Sequence, residues 1–385
     1  MDIQLAPAEE AFALGVRQWL EERLSGEWSA LRGVGGNADE GHFAERLAWE
    51  KELHRGGWVG LGWPAEYGGR PATPNERIVF AIEYARARGP HRAGFQGTNL
   101  IGPTILAHGT EEQKRRFVPR ILAAEDIWCQ GFSEPDAGSD LASLRTRAER
   151  DGDDYVITGH KVWTSYSDVA DWCLVLARTD PDVPRHKGIS AFVVPMRQPG
   201  IEQRPLKMIN GVTTEFGEVL FDGARVPAAN MVGGPGEGWR LAMTVVSHER
   251  EPGELGYVAR YSKLVNQLVA MVRDDKERFR VDQVHALGWA VVEAEMLRLH
   301  VRRRLSDRLD GVTHGPEGSV DKLLMTQVEQ TVGHTAVDIG GAGHGGGEDT
   351  WLPVYLYSRA QSVMGGTAQI QRNLVATRIL GLPTS

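Results

Sequence analysis

The sequence of 385 residues predicts an α+β fold. Apolar residues recur at three- and four-residue spacings through 1–124 and again through 235–385, the signature of amphipathic helices. Between them, over 125–234, the pattern changes to short alternating or β-branched runs divided by turn residues, which predicts a β domain. Helices, then strands, then helices place the β part as a middle layer.

In the first stretch, Phe12, Leu14, Val16, Trp19, Leu20 and Leu24 mark one helix, and Phe43–Leu53 a second. The run GWVGLGWPAEYGGR at 57–70 interrupts them as a Gly/Pro loop rich in aromatics. Helical spacing returns over Glu76–Arg88 and over Thr110–Ala123, where Thr110 and Gln113 have the spacing of a capping box. The β stretch contains DYVITGHKVW, WCLVLA, ISAFVVPM and EVLFDGARV, with Asp151-Gly152 and Asp222-Gly223 as hairpin turns. Gly236 and Gly238 lead into periodic segments at 239–250, 254–275, 281–307, 320–339 and 366–380.

A net charge of -8 argues against a nucleic-acid surface, because phosphate contacts need clustered Lys and Arg. The short run Arg302, Arg303, Arg304 is followed by Asp307 and Asp310 and reads as a solvated helix face. Cys129 and Cys173 lack metal-ligand spacing, so free thiols in a reducing compartment are expected, with no metal. The acidic, amphipathic N-terminus is unlike a signal peptide, and no apolar run approaches the roughly 20 residues of a membrane span. A cytoplasmic location follows as the expectation.

Two runs have the composition of a flavin site. SEPDAGSD at 133–140 is a tight polar loop after a strand, and GHKVWTS at 159–165 ends in an indole beside two hydroxyls. A flat heteroaromatic cofactor needs an aromatic wall and donors aimed at its ring heteroatoms. Taken singly, Trp163 is more often a core aromatic and such a loop more often a self-capping turn.

Together with GWVGLGWPAEYGGR, HGTEEQKRRFVPRIL at 108–122 and GGTAQIQRNLVATRILGLP at 365–383, these runs resemble the acyl-CoA dehydrogenase family along nearly the whole chain. The resemblance implies N-terminal helices, a middle β-barrel-like domain, a C-terminal four-helix bundle, and FAD held at a subunit interface. It implies that Phe132 and Ser133 lie along the flavin, that Trp163 packs beside it with Thr164 and Ser165 near N5, and that Ser139 approaches the phosphate or pantetheine region. Thr367 and Gln369 are implied to contact FAD phosphate or adenine. Gly340 and Gly341 would admit a neighbouring subunit's cofactor, although a helix C-cap explains that pair equally well. Many relatives carry Arg-x-x-Phe-Gly to bind the partner's FAD; in the corresponding 273–288 only Arg273 and Gln283 fit.

The resemblance also locates the base. In many relatives the catalytic glutamate stands at the position of Gly365, and glycine cannot remove a proton. Relatives resembling isovaleryl-CoA dehydrogenase place it before an arginine on the first C-terminal helix, which here is Glu249 followed by Arg250. Arg250 and Gly365 then border the acyl site, and the missing side chain at Gly365 leaves room for a branched or cyclic group. The expected reaction is FAD-dependent α,β-dehydrogenation of an acyl-CoA or acyl-carrier thioester, with electron-transferring flavoprotein as acceptor and a homodimer, homotetramer or heteromeric pair as the assembly. A flavin monooxygenase or oxidase of the same fold, and a flavin-poor partner subunit, are the alternatives.

Overall fold

The computed structural model describes residues 5–35, 42–212, 215–249, 254–312, 315–341 and 351–383. Its elements in chain order are α1 (Pro7–Ser25), α2 (Phe43–Arg55), α3 (Pro74–Arg86), α4 (Gly102–His108) and α5 (Glu111–Leu122), then β1 (Trp128–Gly131), β2 (Arg147–Asp151), β3 (Asp154–Ser165), β4 (Trp172–Arg178), β5 (Ile189–Pro195), β6 (Ile201–Pro205), β7 (Phe216–Pro227) and β8 (Met231–Val232). The helices α6 (Gly238–Glu249), α7 (Glu254–Asp274), α8 (Val281–Leu309), α9 (Gly318–Gly340), α10 (Trp351–Gln361) and α11 (Ala368–Leu374) complete it. Chain contacts group the described residues of Met1–Asp39, Ala72–Pro90 and Arg250–Ser385 in one unit, and those of Glu40–Pro71 and His91–Glu249 in another.

The second unit is built on one eight-stranded sheet, ordered β6-β7-β3-β2-β4-β5-β8, with β1 parallel to β4. Its buried face is apolar: Tyr155 and Ile157 of β3, Val175 of β4, Phe192 and Val194 of β5, and Val219 and Phe221 of β7 form one cluster. Cys129 and Cys173 are register partners across β1 and β4, and both are buried free thiols. The Thr110 hydroxyl accepts from the Gln113 N–H at 3.2 Å while the Gln113 side chain accepts from the Thr110 N–H at 3.1 Å, closing the capping box that starts α5.

Asp151-Gly152 does turn β2 into β3, with Gly152 at φ +64°. Asp222-Gly223 does not make a hairpin. It lies inside β7, where Asp222 pairs with Thr158 and Ala224 with Ile157, so that Gly223, at φ +72°, is the extra residue of a β-bulge. Glycine-containing bulges and the tight hairpin turns both use φ > 0, so an Asp-Gly pair alone does not separate them.

In the first unit, Tyr261 and Val265 of α7, Ala290, Leu297 and Val301 of α8, and Val328 and Val332 of α9 share a core, with Ile78 and Ile82 of α3 packed against it. Buried Glu83 of α3 receives two bonds from Arg17 of α1, at 2.9 and 3.0 Å. The Arg302–Arg304 run is not uniformly solvated. Arg304 falls on the inward phase set by Leu297 and Val301, and it is buried 3.2 Å from Asp321 of α9. Helix α10 has no counterpart in the sequence expectation; Pro353 in its first turn and its mixed aromatics mask the period. The opposite face of α8 presents Trp289, Val292, Met296 and Leu299 to the outside at alternating three- and four-residue spacing.

Replacing Gly223 by Ala adds a Cβ that meets no atom within 4 Å, so only the backbone conformation opposes it. The variant is expected to lose about 1 kcal/mol, the usual cost of a left-handed non-glycine residue. Urea denaturation should show this as a lower midpoint at unchanged slope, and Gly138→Ala, also in open space but without positive φ, should be near neutral.

Candidate active site

Strand alternation sends Tyr155, Ile157, Gly159 and Lys161 of β3 toward the same side, so a cation enters the sheet interior. Lys161 is 0% exposed, and its ammonium donates to Glu134 Oε1 at 2.8 Å and to the Phe132 carbonyl at 3.0 Å. Glu134 also accepts from the backbone N–H groups of Arg145 at 2.7 Å and Thr146 at 2.9 Å. The Ser133 carbonyl accepts from the Val162 N–H at 3.0 Å. These bonds fasten the 133–140 loop to the 159–165 strand, joining the two runs singled out in the sequence.

Burial pulls the Lys161 ammonium below the ordinary lysine value, with Glu134 opposing. Burial also pushes the Glu134 carboxyl up, but the Lys161 charge and the donated hydrogen bonds outweigh it and hold the group below its ordinary value. Gly159 has no room for a side chain, because a Cβ there would lie 2.3 Å from the Thr146 hydroxyl.

Beyond Lys161, strand β3 bulges. Lys161 pairs with Val219 of β7 and Thr164 with Gly217, so Val162 and Trp163 oppose one residue. Trp163 adopts φ +60° and is 61% exposed, with its ring edge-on to Phe216 at 6.2 Å. A bulge re-aims a side chain, and here it turns an indole out of the sheet. Thr164 points the other way: its side chain is fully buried and its hydroxyl has no partner. The expected place of Thr164 near the flavin remains a proposal, and with its side chain buried the contact would run through the backbone. Ser133 and Ser165 are half-buried, and Ser139 is exposed on its turn.

The same unit holds helix α6. His108, at the end of α4, bonds through Nε2 to the Thr244 hydroxyl at 2.8 Å, and burial lowers its basicity. This contact, which sequence reading did not find, fixes α6 five residues before Glu249. Glu249 ends α6; its side chain, and Arg250 altogether, lie outside the described residues.

In the other unit, Gly365 and Gly366 take φ +62° and +89°. The buried Gln371 amide donates to their carbonyls at 3.1 and 3.4 Å, stapling the turn. A side chain at 365 would occupy a left-handed backbone, a conformation that favours glycine by about 1–2 kcal/mol. Thr367 caps α11 through its hydroxyl, which accepts from the Ile370 N–H at 3.2 Å. Gln369 is exposed beside a cleft of about 630 Å³.

The remaining candidates have other surroundings. Arg273 is exposed next to Asp274, 3.9 Å away. Gln283 is buried and spends its amide inside the chain, donating to the Asp338 carbonyl at 2.6 Å and accepting from the Arg280 N–H at 3.0 Å. Gly340 is small because Trp351 lies 2.8 Å from where its Cβ would be, and Gly341, at φ +75°, is the C-cap of α9. The close approach that Gly340 allows within the chain is to Trp351.

The chain matches the acyl-CoA dehydrogenase N-terminal domain over residues 6–125, the middle domain over 129–224 and the C-terminal domain over 236–380. It belongs to the acyl-CoA dehydrogenase family. It is 42% identical to the acyl-CoA dehydrogenase IpdE1 of Mycobacterium tuberculosis, covering 97% of this chain and 98% of that one. Among solved structures it resembles the Tcur3481-Tcur3483 steroid ACAD, at 32% identity and TM-score 0.83, and the ChsE4-ChsE5 complex of Mycobacterium tuberculosis, at 30% and 0.80. In both cases all of this chain and all of the other are covered.

This acyl-CoA dehydrogenase uses FAD. Its residues fit a flavin: the exposed Trp163 offers an aromatic face, and the Ser133 and Ser165 hydroxyls have no described partner. No helix among the described residues is long and apolar enough to cross a membrane, and no described cluster of His, Cys, Asp and Glu could hold a metal.

Because Glu134 is depressed in the folded state, it contributes stability above the unfolded value of 4.5 that is lost as pH falls through the lower folded value. In Glu134→Gln that acid limb should flatten, while leaving Lys161 buried without its counter-ion should cost about 3–5 kcal/mol near neutral pH. Chemical denaturation from pH 3 to pH 8 measures both, and a variant with the wild-type acid slope would contradict the assignment.

Proposed function

We propose that this acyl-CoA dehydrogenase takes the α-proton of a bulky, branched or cyclic acyl thioester with Glu249. The observation that carries the reading is the stapled Gly365 turn, which has no carboxylate and a backbone shaped for glycine. The base must then come from another element, and Glu249 stands at the end of α6 where relatives of the isovaleryl type carry theirs. The full-length likeness to a protein titled a steroid ACAD supports a large cyclic acyl group.

The chemistry needs a base at the α-carbon while the β-hydride leaves from the neighbouring carbon. FAD, when bound, supplies the hydride acceptor. Trp163 and the 133–140 loop wall the flavin site and exclude water, and the His108–Thr244 bond steadies the helix that ends in the base. An electron-transferring flavoprotein is proposed to reoxidise the enzyme, and a cytoplasmic location is proposed with it.

The expected outcome for Glu249→Gln is a protein that retains FAD but whose flavin is no longer bleached anaerobically by substrate. A panel of linear, branched and polycyclic acyl-CoA thioesters, with one acyl-carrier thioester, identifies the substrate. Fast bleaching of the variant would remove Glu249 from the reaction, and preference for a linear chain would remove the bulky substrate.

A heteromeric assembly is also proposed, because both structures named above are titled with two components and α8 carries an apolar stripe suited to a helix of a second acyl-CoA dehydrogenase chain. Met296→Glu, at the middle of that stripe, should lower the assembled fraction in sedimentation velocity without lowering thermal stability of the chain alone. A stable homotetramer formed by this chain by itself would favour the homomeric alternative.

A further inference from the structure

The Phe132–Ser133 peptide is anchored at one end and open at the other. Its carbonyl accepts from the buried Lys161 ammonium at 3.0 Å, whereas its Ser133 N–H has no acceptor among the described residues. The groups around it are spent: the Ser133 carbonyl accepts from the Val162 N–H at 3.0 Å, and the Glu134 N–H donates to the Ala137 carbonyl at 3.0 Å. Backbone donors rarely stay unpaired in a folded chain, so one that does marks a place where a ligand or water completes the count.

In a planar trans peptide the carbonyl and the N–H point to opposite sides. Lys161 is fully buried in the sheet interior, so the carbonyl it binds points inward and the Ser133 N–H points outward. Trp163, whose neighbour Val162 is bonded to the Ser133 carbonyl, presents its exposed indole beside the same loop. A buried ammonium is costly, and Lys161 divides its donors between a counter-ion and this main-chain carbonyl. The bond to the carbonyl orients the peptide and, by polarising it, strengthens the N–H as a donor. A donor fixed in place beforehand stabilises the more negative state of the group it faces. A flavin gains negative charge on reduction, so such a donor favours its reduced form.

We propose that Lys161 is a positioning residue that acts through the Phe132–Ser133 peptide, aiming the Ser133 N–H at the flavin and so raising the flavin's reduction potential. The inference rests on the reading of Trp163 and the 133–140 loop as walls of the flavin site. It gives the Lys161–Glu134 pair a part in the acceptance of the β-hydride besides fastening the loop to the strand.

The test uses the holoenzyme without any thioester, so its outcome does not depend on Glu249 or on the acyl group. The midpoint potential of the bound flavin is measured by anaerobic titration against a reference dye in the wild type, Lys161→Met and Lys161→Arg. Lys161→Met should shift the reduction equilibrium about 10- to 100-fold toward oxidised flavin, a potential about 30–60 mV lower for a two-electron couple. Lys161→Arg, which keeps a charged donor for the Phe132 carbonyl, should recover part of that shift. A merely structural role would lower the melting temperature of both variants and leave the potential in place. If neither variant folds, redox-difference infrared spectroscopy of the wild-type holoenzyme carrying carbonyl-labelled phenylalanine decides. A labelled carbonyl band that moves on flavin reduction and disappears in Phe132→Leu is expected, and its absence overturns the proposal. A wild-type potential in Lys161→Met overturns it as well, and Trp163→Leu then shows why. An altered flavin spectrum in Trp163→Leu removes only the role of Lys161, whereas an unaltered one removes the flavin from this loop.

Discussion

The buried ion pair between Lys161 and Glu134 is the constraint on which the flavin side of this enzyme depends. An ammonium removed from water is costly unless its partner and its remaining protons are satisfied. Here the carboxylate, the Phe132 carbonyl and two backbone N–H groups share that task, so the pair is compensated by hydrogen bonds that tie Lys161 to 132–134 and 132–134 to 145–146. The result is geometric as much as energetic. The polar loop and the strand that present Ser133 and Trp163 cannot move independently, and the left-handed backbone at Trp163, a conformation that costs roughly 1–3 kcal/mol, is held by the bulge that follows the pair.

A second constraint acts at the glycine turn before α11. Gln371 grips the carbonyls of Gly365 and Gly366, and both residues have positive φ, so the turn is specified by hydrogen bonding and by the lack of a Cβ together. The local backbone at 365 thus favours the glycine that leaves this turn without a carboxylate. In the other unit a half-buried imidazole does similar work: His108, bonded to Thr244, fastens the helix that ends at Glu249.

Much of this was legible in the sequence. Periodicity located α1, α2, α3 and α5 to within a few residues, because each buries one face and is exposed on the other. Lys161 was readable in principle: it sits on the inward phase of β3, so an acid had to meet it, and Glu134 lies in the motif run just upstream. Helix α10 was not readable, since its proline and aromatics blur the period. Asp222-Gly223 was misleading, because a local signal for φ > 0 does not say whether the strand ends or bulges.

The sequence by itself determined the α+β class, the family and the chemistry, since composition, period and separated motif runs survive without any coordinates. Only the tertiary structure decided which groups those motifs meet. It turned Thr164 inward and Trp163 outward, gave Gly340 to Trp351, and committed the Gln283 amide to the Asp338 carbonyl. The physical reason is that these outcomes depend on register and burial between segments far apart in the chain, and a side chain's partners are fixed only when those segments pack.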